Sequence, residues 1–194
     1  YDKVPSVQRY LYALVDAHLD NGFYAEAVTF IKGLEKKEGE FKTPLMQTKL
    51  GNAYRLQKDF ANAATTFDAA LKLGKEYPAA LLGQAVSLWN QKKYGDAIKA
   101  FEKAVNAKSK FPEVYENIGL MFLEQGAPSD ANTQLEEADR QYRAQGKGKR
   151  VLGAFYTKVM AAFKAKWQTT IAKKWEQRIA DLDKEPVAVA TPKK

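Results

Sequence analysis

The chain has 194 residues, 45% hydrophobic and 28% charged, the balance of an ordinary soluble globular protein that can be one domain. It has no cysteine and a single histidine, which excludes disulfides, thiol nucleophiles and Cys- or His-rich metal centres. Its net charge is +8, no run reaches the roughly 18 uncharged apolar residues of a membrane-spanning helix, and the opening YDKVPSVQRY lacks the pattern of a signal peptide. The absence of an initial Met leaves open a trimmed leader or a longer parent protein.

In chain order, the first helical pattern starts near Gln8. Leu11, Leu14 and His18 recur at helical spacing, followed by Tyr24, Ala27, Ile31 and Leu34. A turn containing Gly39 leads to Pro44. From there three segments open on prolines 34 residues apart, Pro44, Pro78 and Pro112, and share one template. Leu50, Gly51 and Tyr54 correspond to Gln84, Ala85 and Leu88, then to Ile118, Gly119 and Phe122. Ala63, Phe67 and Ala70 correspond to Ala97, Phe101 and Ala104, then to Ala131, Leu135 and Ala138. Apolar residues at helical spacing predict two amphipathic helices per unit, with Gln57-Lys58-Asp59 and Gln91-Lys92-Lys93 as the turns within pairs. The small residues mark places where helix backbones approach closely, and proline is tolerated at a first helical position, where its missing N–H has no intrahelical partner.

This pattern of Leu-Gly-x-x-Tyr, then Ala-x-x-x-Phe, then Pro over 34 residues resembles the tetratricopeptide repeat. The resemblance covers about residues 8–145, with repeats near 8–43, 44–77, 78–111 and 112–145. It implies an all-α, right-handed solenoid of helix pairs and a role in protein–protein interaction.

Beyond it, residues 146–183 are expected to form a basic helical cap. Leu152, Tyr156, Met160, Phe163, Trp167, Ile171, Trp175, Ile179 and Leu182 step by three or four, which describes one long helical stripe or two helices in line. Leu152-Gly153-x-x-Tyr156 also matches a first helix, so a degenerate fifth repeat is the other reading. Residues 184–194 read as a linker or tail.

Charge is segregated along the sequence. Residues 1–139 hold 17 Lys and Arg against 19 Asp and Glu, and residues 140–194 hold 14 against 4. Lys147, Lys149, Arg150, Lys164, Lys166, Lys173 and Lys174 form a candidate basic patch. With Phe163, Trp167 and Trp175 interleaved, it could hold nucleic acid or an anionic membrane surface. The preferred reading is plainer: a solvated lysine face over core aromatics.

Nothing supports catalysis. His18 falls where a repeat expects a packing residue, and the glycines of Gly146-Lys-Gly-Lys lack the phosphate-loop spacing. No cofactor is expected. The resemblance instead implies binding along the face of the first helix of each pair. That face would comprise Tyr12, Asp16 and Leu19, then Thr48, Lys49, Asn52 and Arg55, then Leu82, Val86, Trp89 and Asn90, then Glu116, Asn117, Leu120 and Leu123. Its middle is apolar around Trp89, with donors at Lys49, Asn52 and Arg55, which suits a peptide with hydrophobic anchors and an acid or carbonyl toward Arg55.

Chaperone-binding relatives in this family clamp a C-terminal carboxylate with Lys and Asn, Asn, then Lys and Arg in successive repeats. Here only Asn52 fits; Thr48, Gly83, Glu113 and Asn117 occupy the other positions, which argues against Hsp70 or Hsp90 tails as partners. The expectation is a non-catalytic scaffold or adaptor, bacterial and either cytoplasmic or periplasmic. The competing readings are an adaptor for nucleic acid or an anionic surface, and a self-assembling homo-oligomer.

Overall fold

A computed structural model describes residues 6–37, 42–75, 77–107 and 111–184, and among them every regular element is an α-helix. The Gly39 turn and the tail beyond Lys184 lie outside the described residues. The described residues form ten successive helices: α1 (Ser6–Asp20), α2 (Tyr24–Lys37), α3 (Pro44–Leu56), α4 (Phe60–Leu73), α5 (Pro78–Asn90), α6 (Tyr94–Asn106), α7 (Pro112–Glu124), α8 (Pro128–Ala144), α9 (Lys149–Ala165) and α10 (Thr169–Lys184). They pack as consecutive pairs in the manner of a tetratricopeptide solenoid. The chain divides into two compact units, Tyr1–Ser109 with α1–α6 and Lys110–Lys194 with α7–α10.

Each of the three spaced prolines is the first residue of its helix, α3, α5 and α7. Ahead of α3, the Thr43 hydroxyl accepts a hydrogen bond from the Met46 N–H at 3.2 Å, satisfying one of the donors a helix start leaves open. Asp59 caps α4 in the same way through Asn62 N–H, at 3.2 Å.

All five turns within pairs share one backbone device. A single residue enters the left-handed region: Gly22 (φ 81°), Lys58 (64°), Lys92 (63°), Gly126 (81°) and Trp167 (59°). In each turn that residue's N–H bonds to the carbonyl three positions back and the next N–H to the carbonyl five back, as in Gly22 to Leu19 with Phe23 to His18, and Trp167 to Lys164 with Gln168 to Phe163. This is the Schellman arrangement, which satisfies the last carbonyls of the first helix while reversing the chain.

The fifth pair therefore overturns the expectation of one stripe or two helices in line: α9 and α10 fold back on each other across the turn at Trp167. No glycine or asparagine marks the reversal. The helix before it has 17 residues, whereas α3, α5 and α7 have 13 each, which moves the turn out of the 34-residue register.

The core of the first unit is built around Phe67 of α4. Its buried ring lies against Gly51 of α3 and Gly83 of α5; an added Cβ at Gly51 would stand 2.7 Å from a ring carbon, and one at Gly83 closer still. Two glycines thus let one aromatic side chain join three helices. In the second unit Gly119 admits Leu135 in the same way. There the aromatic centre is Phe155, Tyr156 and Trp175, with ring centroids 5.6 to 5.7 Å apart.

Polar ties complete the second unit. Arg178 of α10 donates to Asp139 of α8 at 2.7 Å and stacks over Trp175 at 4.3 Å from the ring centroid. Trp175 Nε1 donates to Asn132 at 3.0 Å. Tyr156 also donates its hydroxyl to Asp139, and burial, with that carboxylate beside it, pushes its pKa well above the ordinary tyrosine range.

Candidate functional site

In the first unit α3 contacts both α1 and α5, so the first helices of three pairs lie side by side. The expected binding residues of this unit occupy those helices. Tyr12 is half-buried against the core. Lys49 is ion-paired with Asp16, with only 13% of its side chain exposed, so the pair ties α3 to α1 and Lys49 is no free donor for a ligand. Thr48 is buried and donates its hydroxyl to the Pro44 carbonyl at 2.7 Å, which removes it from the face.

Arg55 remains. Its guanidinium donates to Asn52 Oδ1 at 3.4 Å through both Nε and Nη2. Burial lowers its pKa, as expected where water is partly excluded from a charged group. One repeat further along, Leu82, Val86 and Trp89 are half-buried on α5, and Asn90 is exposed with its amide bonded to the Val86 carbonyl at 2.8 Å. Of the expected binding residues, the unit therefore offers Arg55 and a short apolar stretch on neighbouring helices.

The second unit departs further from the sequence expectation. Glu116, placed on the binding face by the template, is only 7% exposed and receives the Tyr142 hydroxyl at 2.8 Å and Lys158 Nζ at 2.5 Å. Burial, with this carboxylate next to it, raises the Tyr142 pKa well above the tyrosine range. Leu123 is a core residue at 3% exposure, Asn117 bonds the Glu113 carbonyl of its own helix at 2.6 Å, and Leu120 is half-buried.

A cleft of about 360 Å3 opens beside Glu116, lined also by Tyr142, Arg150, Val151, Ala154, Phe155 and Lys158. Sequence marks Arg150 only as part of a basic run and gives Lys158 no place of its own. The signal for Lys158 is its position two residues after Tyr156, on the helix that the Leu-Gly-x-x-Tyr match identifies.

The basic patch divides likewise. Lys164 pairs with Glu176 at 3.1 Å. Lys147, Arg150, Lys166, Lys173 and Lys174 are exposed, and Lys149 is half-buried. Of the three aromatics interleaved with them, Phe163 and Trp175 are core, whereas Trp167 is 88% exposed. His18 is half-buried, stacked on Phe30 at 6.1 Å and bonded through Nδ1 to the Leu14 carbonyl at 2.8 Å, a packing role. Among the described residues no group of His, Cys, Asp or Glu is placed to hold a metal, and no helix is long and apolar enough to cross a membrane.

Comparison with known proteins places this geometry. The chain is 28% identical over 72 residues to human tetratricopeptide repeat protein 13, a stretch that is 37% of this chain but 8% of that protein. Solved structures of similar fold include BtubC (BKLC) from P. vanneervenii, with a TM-score of 0.72, 16% identity, and 97% and 86% of the two chains covered. PilF of Pseudomonas aeruginosa follows at 0.68, with 18% identity over 89% and 75%. MamA 41-end from Desulfovibrio magneticus RS-1 gives 0.65, with 18% identity over 93% and 97%. At these identities the likeness is one of fold. The profile of the tetratricopeptide repeat matches residues 12–81, 48–112 and 82–145, more than half of the sequence, and the chain belongs to that family.

Proposed function

We propose that the chain is a non-catalytic interaction module that holds an extended or helical segment of a partner protein across the first helices of its first unit. Tetratricopeptide domains typically serve as protein-interaction modules, and this one carries no arrangement of side chains among its described residues that suggests catalysis. The observation that carries the reading is that α3, which bears Arg55, partly desolvated and held by Asn52, lies against α5, which bears the half-buried Leu82, Val86 and Trp89. A partly desolvated arginine beside apolar surface is the composition of an interface hot spot: the apolar residues take the partner's side chains, and the guanidinium takes a carboxylate or a backbone carbonyl.

Lys49 and Asp16 then act as a strut that fixes α1 against α3, with no direct hold on the ligand. The test is a pull-down from source-cell extract comparing wild type with a Trp89→Ala, Arg55→Glu double variant, after circular dichroism has shown equal helicity. A protein retained by the wild type and lost by the variant supports the reading. Equal recovery by both contradicts it.

A further inference from the structure

We propose that the tip of the α9–α10 hairpin is a docking point for anionic lipid surfaces, with Trp167 as the inserting side chain. Trp167 is the most exposed of the large hydrophobic residues described, at 88%, and it stands at the apex of the turn. It also occupies a backbone position that disfavours it. The equivalent residue is glycine in two of the other four turns and lysine in the other two, and a bulky side chain at φ 59° is strained. Neither packing nor turn geometry therefore accounts for a tryptophan there.

Four lysines surround it in sequence. Lys166 precedes it in the turn, Lys164 lies in the last turn of α9, and Lys173 and Lys174 lie in the early turns of α10, all exposed. The first turn of α10 carries no acidic residue. Among the described residues Glu176 is the one carboxylate bonded to this group, through Lys164 at 3.1 Å. An indole on a hairpin tip among ammonium groups matches a membrane interface, where tryptophan settles at headgroup depth and lysines meet anionic phosphates. Nucleic acid is disfavoured by the same geometry. Stacking on single strands needs several exposed aromatics along a groove, and here Phe163 and Trp175 are buried. The tip belongs to the second unit and the peptide-binding face to the first, so the two proposals stand or fall independently.

The test is co-sedimentation of the full chain with vesicles of phosphatidylcholine alone, or of two parts phosphatidylcholine to one part phosphatidylglycerol, at low and raised salt. Wild type should partition onto the anionic vesicles only, with binding weakened by salt. Trp167→Gly, which suits the left-handed turn and keeps the hairpin folded, should lower the partition constant about tenfold. Lys166→Glu with Lys173→Glu should lower it further, by about fivefold for each lysine removed. Equal binding to both vesicle types, undiminished binding by Trp167→Gly with native circular dichroism, or retention on a single-stranded oligonucleotide that anionic vesicles do not displace would each overturn the proposal.

Discussion

Gly83 and Gly153 are both helical glycines, but they answer to different constraints. A methyl group at Gly83 would meet the Phe67 ring well inside van der Waals distance, and that ring is fully buried and also lies tight against Gly51 on its other neighbour helix. Gly83→Ala should therefore destabilise the first unit by about 1–3 kcal/mol, the usual cost of overpacking. At Gly153, by contrast, an added methyl group would meet nothing within 4 Å. Gly153→Ala should stabilise the second unit by about 0.5–1 kcal/mol through helix propensity alone. Urea unfolding of the two variants reads both effects, and the opposite order would mean that the Phe67 contact is not tight. The comparison also bears on the repeat template: Gly153 matches Gly51 as a letter in the pattern but not in its packing.

At the scale of the element, α10 is held to α8 by Asp139, which accepts from Tyr156, Arg143 at 3.3 Å and Arg178 at 2.7 Å. Asp139→Ala should cost about 2 kcal/mol, chiefly because the buried Tyr156 hydroxyl loses its acceptor while the arginines keep some access to water. Near-ultraviolet circular dichroism of the Trp175 environment should report a lower melting temperature for this variant. Alkaline pH probes the same elements. The Tyr142 and Tyr156 phenols have pKa values raised in the fold, by burial first and by Glu116 and Asp139 second. A raised pKa favours the protonated form in the folded state, so their stabilising contribution is complete below about pH 10 and is lost as the pH rises above it. Spectrophotometric titration should show these two tyrosines ionising only together with unfolding of α7–α10; early ionisation would contradict their burial.

Helix pairs one to four were legible because proline, small and aromatic residues each report a local constraint that repeats every 34 residues. The fifth was legible only in its first helix, through Leu152-Gly153-x-x-Tyr156, because its reversal depends on backbone geometry at Trp167, a residue type that carries no turn signal, and on a first helix of 17 residues where α7 has 13. The candidate binding face could be named only as a set of helix positions. What sequence could not show were the partners 33 residues away for Lys49 and 42 away for Glu116, which convert expected ligand contacts into internal ties.

For the molecule as a whole, the same ties change the meaning of its charge. Residues 140–194 look strongly basic alone, yet residues 111–184 hold 12 basic against 10 acidic residues, because α7 and α8 bring acids to the bases of α9 and α10. The described part of the second unit is nearly balanced, and exposed basic residues lie toward both ends of α9, Lys147 and Arg150 near its start and Lys164 and Lys166 near its end, with Lys173 and Lys174 on α10. The first unit carries the arginine and apolar face on which the interaction reading rests. The most direct test replaces Asn90, exposed at the edge of that face, with a photo-crosslinking amino acid in source cells, with Lys99 on α6 as the control position. The account predicts a protein adduct from position 90 that disappears when Arg55→Glu is added, and none from position 99. Adducts that arise equally from both positions, or that persist with Arg55→Glu, would contradict it.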